Sequence, residues 1–411
     1  MSKKINNAKY KLYVEDQGVI LSPGKIGEKF FEYDGRGIRE PNVYRVGEYY
    51  YMFYDGSADH AGNCNYEDPE QHLCRACLAR SKDLINWEKL GPRLRCGIED
   101  NSKAKELGFM DAYGAVSPWL FFDEEENRWK MFYVGALGAC PYGPAVGIPS
   151  EYYSTCFAYA KTPGLEGIEG EWIQVNRERG KEKAVCFYKR KNKYPMGSTS
   201  AGPVIINPLW DSNKDETCKK YLMFFTSGAT LGVAKSNFLN ATKNWDDPDE
   251  ENGWEVSDKP LIGVSCRPEV SFKNKMDPFY FHTTPENANY YYNKKRGYHF
   301  LFTNQFSMDI THCACNVVYW TKDINKWSDE HSAIIVDGTC TKDGWATGAI
   351  GFPSVVEIDE DTLAVFYDAP KGYSYDHANR HIALAYWKIP DFDDNGDILQ
   401  KDGTKLSPNN I

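Results

Sequence analysis

Glu40-Pro41-Asn42-Val43-Tyr44-Arg45-Val46-Gly47-Glu48-Tyr49-Tyr50-Tyr51-Met52-Phe53-Tyr54 is a proline-led apolar stretch, a short turn around Gly47, and a run dense in aromatic rings. Aromatic and β-branched residues suit a packed, pleated surface, and a Gly between two such runs marks a hairpin, so the stretch reads as two antiparallel strands. The pattern returns along the chain. Ser117-Pro118-Trp119-Leu120-Phe121-Phe122 precedes Arg128-Trp129-Lys130-Met131-Phe132-Tyr133. Gly202-Pro203-Val204-Ile205-Ile206 precedes Lys220-Tyr221-Leu222-Met223-Phe224-Phe225. Thr284-Pro285-Glu286 opens a third return ending in Tyr298-His299-Phe300-Leu301-Phe302, and Phe352-Pro353-Ser354-Val355-Val356 a fourth ending in Leu363-Ala364-Val365-Phe366-Tyr367.

A second element follows each copy, a strand of small residues leading to a Trp. It is seen at Leu78-Ala79-Arg80-Ser81-Lys82-Asp83-Leu84-Ile85-Asn86-Trp87, before Trp172, before Trp245, at Val317 to Trp327, and at Ile382 to Trp387. Two hairpins per repeat make a four-stranded antiparallel sheet, and ordered repetition of such sheets is the signature of a propeller. The expected fold is therefore all-β, a five-bladed β-propeller with four-stranded antiparallel blades. The whole chain, 1–411, forms one domain with blades near 38–95, 115–180, 200–260, 280–335 and 350–390. The repeats lie roughly 70 to 85 residues apart, wider than the 40–50 residues of common propeller repeats. The excess must be long loops, such as 58–71, 96–114 and 140–154, and long loops in a compact fold usually carry function. A single helical turn is expected at 104–109. The acidic stretch after Pro390 reads as a loose surface terminus.

Composition narrows the partners. A formal net charge of −10 argues against nucleic acid, because phosphate binding needs a basic face. No apolar run approaches the roughly 20 residues of a membrane helix. The N-terminus shows no secretory h-region, which points to the cytoplasm and to reduced thiols. Aromatic residues make up 15 % of the chain, which suits strands and also stacking on sugar rings. Cys74 and Cys77 have zinc-like spacing, but on a strand they face opposite sides, so they are read as core thiols. Cys313 and Cys315 are read the same way, and His60, His377 and His381 are kept as loop ligands without an assigned partner.

Arg39-Glu40-Pro41-Asn42 with Val46-Gly47-Glu48-Tyr49 resembles the opening blade of the five-bladed propeller glycosidases, where glycoside hydrolase families 43 and 32 place Asp-Pro. The stretch Phe121 to Met131 resembles the second blade of family 32. Ala79 to Trp87 is similar to a hairpin shared across the group, which also includes families 117 and 130. Three departures mark a divergent member: Glu40 replaces the Asp, Ser117 stands in the second acidic slot, and Gly202 stands in the third. The resemblance implies a glycoside hydrolase acting on short oligosaccharides by acid/base carboxylate catalysis, in an exo fashion. A family 130-like glycoside phosphorylase and a non-catalytic carbohydrate-binding propeller are the alternatives. It implies no required cofactor, leaves room for a metal ion near the axis without assigning ligands, and leaves homo-oligomer formation open.

Residues beside the repeated prolines should face the axial pocket. Glycoside cleavage needs two carboxyl groups, one to protonate the leaving oxygen and one to attack or to activate water. Glu40, Asp111 and Glu286 form the expected catalytic set. Asp111 has apolar flanks unusual for a solvated acid, and Glu286 follows the proline of the fourth repeat. Glu269 and Asp277 compete with Glu286. Asp34, Arg39, His282, Arg267, Tyr113 and Trp119 are the expected substrate contacts. Asp55 and Asp368 end equivalent strands and are read as turn residues.

Overall fold

A computed structural model describes residues 8–57, 73–136, 153–175, 199–211, 218–227, 230–239, 254–262, 284–306, 315–372 and 379–408. Each sequence repeat folds as an antiparallel sheet. In repeat one the strands Gly37–Val46, Tyr49–Ser57, Cys74–Ser81 and Glu88–Pro92 follow one another. Repeat two repeats the order with Gly114–Asp123, Arg128–Ala136, Tyr153–Ala160 and Trp172–Gln174. Repeat three has Thr199–Ser200 and Val204–Ile206 on one edge, then Tyr221–Ser227, Thr230–Ser236 and Glu255–Val256. Repeat four runs Thr284–Asn293, Tyr298–Phe306, Cys315–Thr321 and Ser332–Val336, and repeat five runs Gly351–Asp359, Thr362–Pro370 and Arg380–Lys388.

The N-terminal segment completes the last two sheets. Tyr10–Lys11 adds a parallel edge to Ser332–Val336, and Glu15–Leu21 supplies the outer strand beside Arg380–Lys388. Repeat five is thus built from both ends of the described chain.

The second strand of each repeat is a continuous apolar run because both of its faces are buried. Successive side chains point to opposite faces, so Phe53 packs toward repeat two while Met52 and Tyr54 pack toward repeat five. Phe132 and Trp119 meet Met223 and Phe225 of repeat three, and Phe224 meets Leu301 and Val317 of repeat four. Phe300, Phe302 and Trp320 of repeat four meet Val365, Tyr367 and Trp387 of repeat five. Val356, Phe366 and Leu384 of repeat five close onto Ile38, Met52 and Tyr54 of repeat one. Each buried Phe or Leu in these seams contributes roughly 1.5–3 kcal/mol of transfer free energy. The architecture is all-β, with sheets packed face to face in the manner of a propeller.

The recurrent Asp-x-x-x-Trp element is a local device. Asp83 Oδ1 accepts the amides of Ile85 and Asn86 at 3.0 and 2.8 Å, and Trp87 Nε1 donates back to Leu84 O at 2.8 Å. Repeat four repeats it with Asp323, Asn325 and Trp327. The segment 104–109 forms turns, closed by Phe109 N on Ala104 O at 2.9 Å.

The terminus expected to be loose is instead docked. Asp391–Phe392 and Ile398–Leu399 form a hairpin, Phe392 lies 5.3 Å from the Trp320 ring, and Trp320 Nε1 donates to Gly396 O at 2.9 Å. The buried Ile398 and the partly buried Phe392 outweigh the acidic character of the stretch. Its charges are met by Lys405, 2.7 Å from Asp393 and 2.9 Å from Asp397.

Gly202 is required by close approach: an added Cβ would fall 1.6 Å from Phe224 O. Gly202→Ala is expected to cost about 1–3 kcal/mol through the backbone shift it forces, read as a lower denaturant midpoint. An unchanged midpoint would show that the strand entry has room to move.

Candidate active site

In four of the repeats the first strand carries a bulge near its start. In repeat one Arg39 pairs with Asp55 and Asn42 with Phe53, so Glu40 and Pro41 together oppose Tyr54. The same step falls at Ser117-Pro118, at Asn287-Ala288 and at Phe352-Pro353. The leading residue is left-handed each time: φ is 53° at Glu40, 50° at Ser117, 45° at Asn287 and 41° at Phe352. Such a conformation costs about 1–3 kcal/mol in a non-Gly residue and persists only where its surroundings hold it.

What holds it is visible in three of these bulges. The freed amide donates to a side chain at the end of the second strand of the preceding repeat. Glu40 N donates to Asp368 Oδ2 at 2.6 Å, Ser117 N to Asp55 Oδ1 at 2.7 Å, and Asn287 N to Thr226 Oγ1 at 3.0 Å. Asp55, Thr226 and Asp368 occupy equivalent places in their repeats. They are latches between neighbouring sheets rather than turn residues.

The bulge residues converge on Glu40. Ser117 Oγ donates to Glu40 Oε2 in a very short hydrogen bond, and Asn287 Nδ2 donates to the same oxygen at 3.4 Å. Arg39 Nη1 lies 3.7 Å from Glu40 Oε1, while Arg39 Nε lies 3.7 Å from Asp55 Oδ2. Asp368 is gripped by Arg380, whose Nε donates to Oδ1 at 2.8 Å and whose Nη2 reaches the same oxygen and Ala349 O. Glu40 and Arg39 are 5 % exposed and Asp55, Asp368 and Arg380 are fully buried, so these charges meet little water.

Burial is the main influence on Glu40 and raises its proton affinity above that of an ordinary glutamate. Arg39 and the Ser117 hydroxyl oppose the rise, Asp368 adds to it, and Arg380 opposes it. Asp55 is raised further, first by burial and then by the Glu40 charge, with Arg39 pulling the other way. Two buried carboxyls around one guanidinium cannot both ionise freely, so each holds a proton more tightly than an exposed carboxyl does. On Glu40 two donors already occupy Oε2, so a proton on this side chain sits on Oε1.

Several expected site residues lie elsewhere. Asp111 is fully buried and accepts from Tyr133 Oη at 2.8 Å and Gln174 Nε2 at 2.6 Å. It is the counterpart of Asp34, with the same spacing to the repeat's proline (Asp34 to Pro41, Asp111 to Pro118). Asp34 likewise accepts from the second-strand tyrosine, Tyr54 Oη at 3.0 Å, and also pairs with Lys89 Nζ at 2.6 Å. In repeat five Tyr367 Oη donates to Asp16 Oδ1 at 2.9 Å. Asp34 and Asp111 tie the segment before a repeat to its second strand, and Asp16 ties the outer strand of repeat five to its second strand.

Trp119 is a core side chain among Phe132, Phe157 and Val204, and Tyr113 packs with Leu73, Cys96 and Phe109. Arg267, Glu269, Asp277 and His282 lie outside the described residues, as do His60, His377 and Cys313. The Glu286 backbone lies in Thr284–Asn293, paired with Asn304, and its side chain is outside the description. The bulge residue of repeat four is Asn287, not the residue beside Pro285. Asn tolerates the left-handed region better than most residues, a cue present in the sequence. The roles of Asp55 and Asp368 were beyond a local reading because each acts on a different repeat, and Arg380 acts through Asp368. Cys74, Cys77 and Cys96 are buried free thiols. Among the described residues no group of three or more His, Cys, Asp or Glu side chains is placed to hold a metal ion. No helix there is long and apolar enough to cross a membrane.

No family model matches the chain. A 140-residue stretch, 30 % of the chain, is 32 % identical to a 1,2-β-oligomannan phosphorylase of Thermoanaerobacter sp. (strain X514), and it covers 43 % of that protein, less than half its length. Among solved structures, a glycoside hydrolase superposes with a TM-score of 0.60 at 17 % identity, over 93 % of this chain and 94 % of its own. A glycosyl hydrolase from Bacteroides ovatus gives 0.55 at 12 % identity, covering 97 % and 96 %. The α-L-arabinofuranosidase PaAbf62A of Podospora anserina gives 0.52 at 10 % identity, covering 92 % and 98 %. Shared over nearly the full length of each partner, the fold of this chain is that of the propeller-type glycoside hydrolases.

Proposed function

We propose that the chain is a five-bladed β-propeller that cleaves glycosidic bonds in short oligosaccharides, with Glu40 protonating the leaving oxygen. The blade count follows the seams, which run from repeat one through repeat five and back to repeat one. The observation that carries the chemistry is the convergence on Glu40: a desolvated carboxyl whose one oxygen is occupied by Ser117 and Asn287 and whose proton affinity is raised. A general acid has to hold its proton at working pH and release it to an oxygen that gains charge as the bond breaks. Glu286, next to Asn287 in the chain, is the proposed partner that activates water. Asp111 and Asp34 are assigned a tethering role.

Phosphorolysis is the second reading. It draws on the stretch similar to an oligomannan phosphorylase and on the guanidinium of Arg39 beside Glu40. Phosphate oxygen would then form the new bond to the anomeric carbon as the glycosidic oxygen departs with the Glu40 proton. The products would be a sugar phosphate and a shortened oligosaccharide.

Incubation with β-1,2-linked manno-oligosaccharides and a wider panel of glycosides, with and without inorganic phosphate, separates the readings. Hydrolysis releases free sugar whether or not phosphate is present. Phosphorolysis releases sugar phosphate only when phosphate is added. Binding across the panel with no cleavage of any member would leave a carbohydrate-binding propeller and end the enzymatic proposal.

A further inference from the structure

We infer that Asp368 and Arg380 are positioning residues for Glu40, a clamp that reaches across the seam between the last repeat and the first to set the aim of its carboxyl. The inference rests on the reading of Glu40 as the proton donor. Glu40 has no conformational reason to be left-handed: it is not Gly, and the following Pro41 pushes it toward extended backbone. Its φ of 53° is held by the amide hydrogen bond to Asp368 Oδ2 at 2.6 Å. A side chain held by nothing else would be a poor anchor, because it could swing away. Arg380 prevents this, donating from Nε to Oδ1 at 2.8 Å and from Nη2 to Asp368 O at 3.1 Å and Ala349 O at 2.9 Å.

The clamp has space made for it. A Cβ on Gly351 would lie 2.7 Å from Arg380 Nη2 and 2.8 Å from Asp368 Oδ1. Both clamp residues are fully buried, so the pair is not a surface ion pair that water could replace. The bulge amides of Ser117 and Asn287 are held by Asp55 and Thr226, and Asp55 has only the looser approach of Arg39 Nε at 3.7 Å. Among the described bulges, the close grip of two guanidinium nitrogens on one carboxylate oxygen serves the residue that itself carries a carboxyl.

The charged groups around Glu40 are Arg39 from its own strand, Asp55 from Tyr49–Ser57, Asp368 from Thr362–Pro370 and Arg380 from Arg380–Lys388. The thiol of Cys74 faces Asp55. Removing the Asp368 charge takes a negative neighbour from Glu40 and leaves the Arg380 cation uncompensated, a single change that favours ionised Glu40.

The direct readout is infrared titration of the protonated-carboxyl band that Glu40→Gln removes. Asp368→Asn should move the midpoint of that band to lower pH by about one unit or more. Asp368→Asn/Arg380→Gln, which also removes the stranded cation, should bring it at least half-way back. A midpoint unmoved by Asp368→Asn overturns the inference. Geometry is tested by two double variants that leave no unpaired buried charge, with β-1,2-linked mannobiose and phosphate as the probe. Asp368→Ala/Arg380→Gln, which lacks an acceptor for the Glu40 amide, should lower kcat about tenfold or more with KM near the parent value. Asp368→Asn/Arg380→Gln should recover most of that loss. Equal kcat in the two double variants overturns the inference. If Glu40→Gln itself still cleaves, the proton-donor reading fails, and the infrared arm decides the clamp alone.

Discussion

Glu40→Gln is expected to reduce glycosidic cleavage by about 10²–10⁴-fold, the usual contribution of a positioned general acid, with the fold intact. The amide is nearly isosteric. Its oxygen can still accept from Ser117 Oγ and Asn287 Nδ2, and the backbone amide keeps its bond to Asp368. What is lost is the proton on the other oxygen. Stability should respond to pH with a definite sign. The folded protein binds the Glu40 proton more tightly than the unfolded chain does, because burial raises its affinity above the ordinary value of 4.5. Stability contributed by this group is therefore full at low pH, declines as pH rises from the ordinary glutamate range toward the raised value, and changes no further beyond it. The Gln variant lacks that decline, so its stability should be flatter across the window. Parallel denaturation curves and rate profiles check both halves. Wild-type rates from the Gln variant on a proven substrate would remove Glu40 from the chemistry.

The fold was largely legible in the sequence because the propeller buries both faces of each sheet. That requirement produces uninterrupted runs such as Tyr49 to Tyr54 and Met131 to Val134, and a proline marks the bend of the first strand in repeats one, two and five. The weak point was register. Thr284-Pro285 copies the look of Glu40-Pro41, yet the bend in repeat four comes at Asn287, since backbone conformation and not the proline defines the step. At the site, Glu40 could be named from its own neighbours. Ser117 was visible only as a missing acid, although its hydroxyl donates to Glu40. Asp368 and Arg380 could not be assigned, because their effect is exerted on a residue at the opposite end of the chain. Asp111 shows the converse: apolar flanks correctly mark a buried acid, and its partners bear on what burial is for. Those partners, Tyr133 and Gln174, come from two other strands of its own repeat.

Asp111→Ala is accordingly expected to act on stability. Truncation leaves the buried Tyr133 hydroxyl without the carboxylate it donates to, while Gln174 Nε2 keeps Arg95 O at 3.0 Å, so the expected loss is about 1–3 kcal/mol. Asp34→Ala should behave alike, since it strands Tyr54 Oη and the Gly24 amide, while Lys89 keeps a partner in Ser22 O at 2.8 Å. Gln174→Leu probes the other side of the contact and should also lower stability, because it leaves the Tyr133 bond to Asp111 but removes the Gln174 bonds to Asp111, Arg95 N and Arg95 O. The measurement is a denaturation midpoint together with kcat normalised to folded protein. If the two aspartates are equivalent tethers, both alanine variants lose stability and neither loses turnover per folded molecule. The contrary result would be an Asp111→Ala protein as stable as its parent but slower by about 100-fold, a loss in the range of a general acid or base. That would mean the carboxyl leaves Tyr133 to serve the reaction, and that equivalence of position between repeats does not carry equivalence of role.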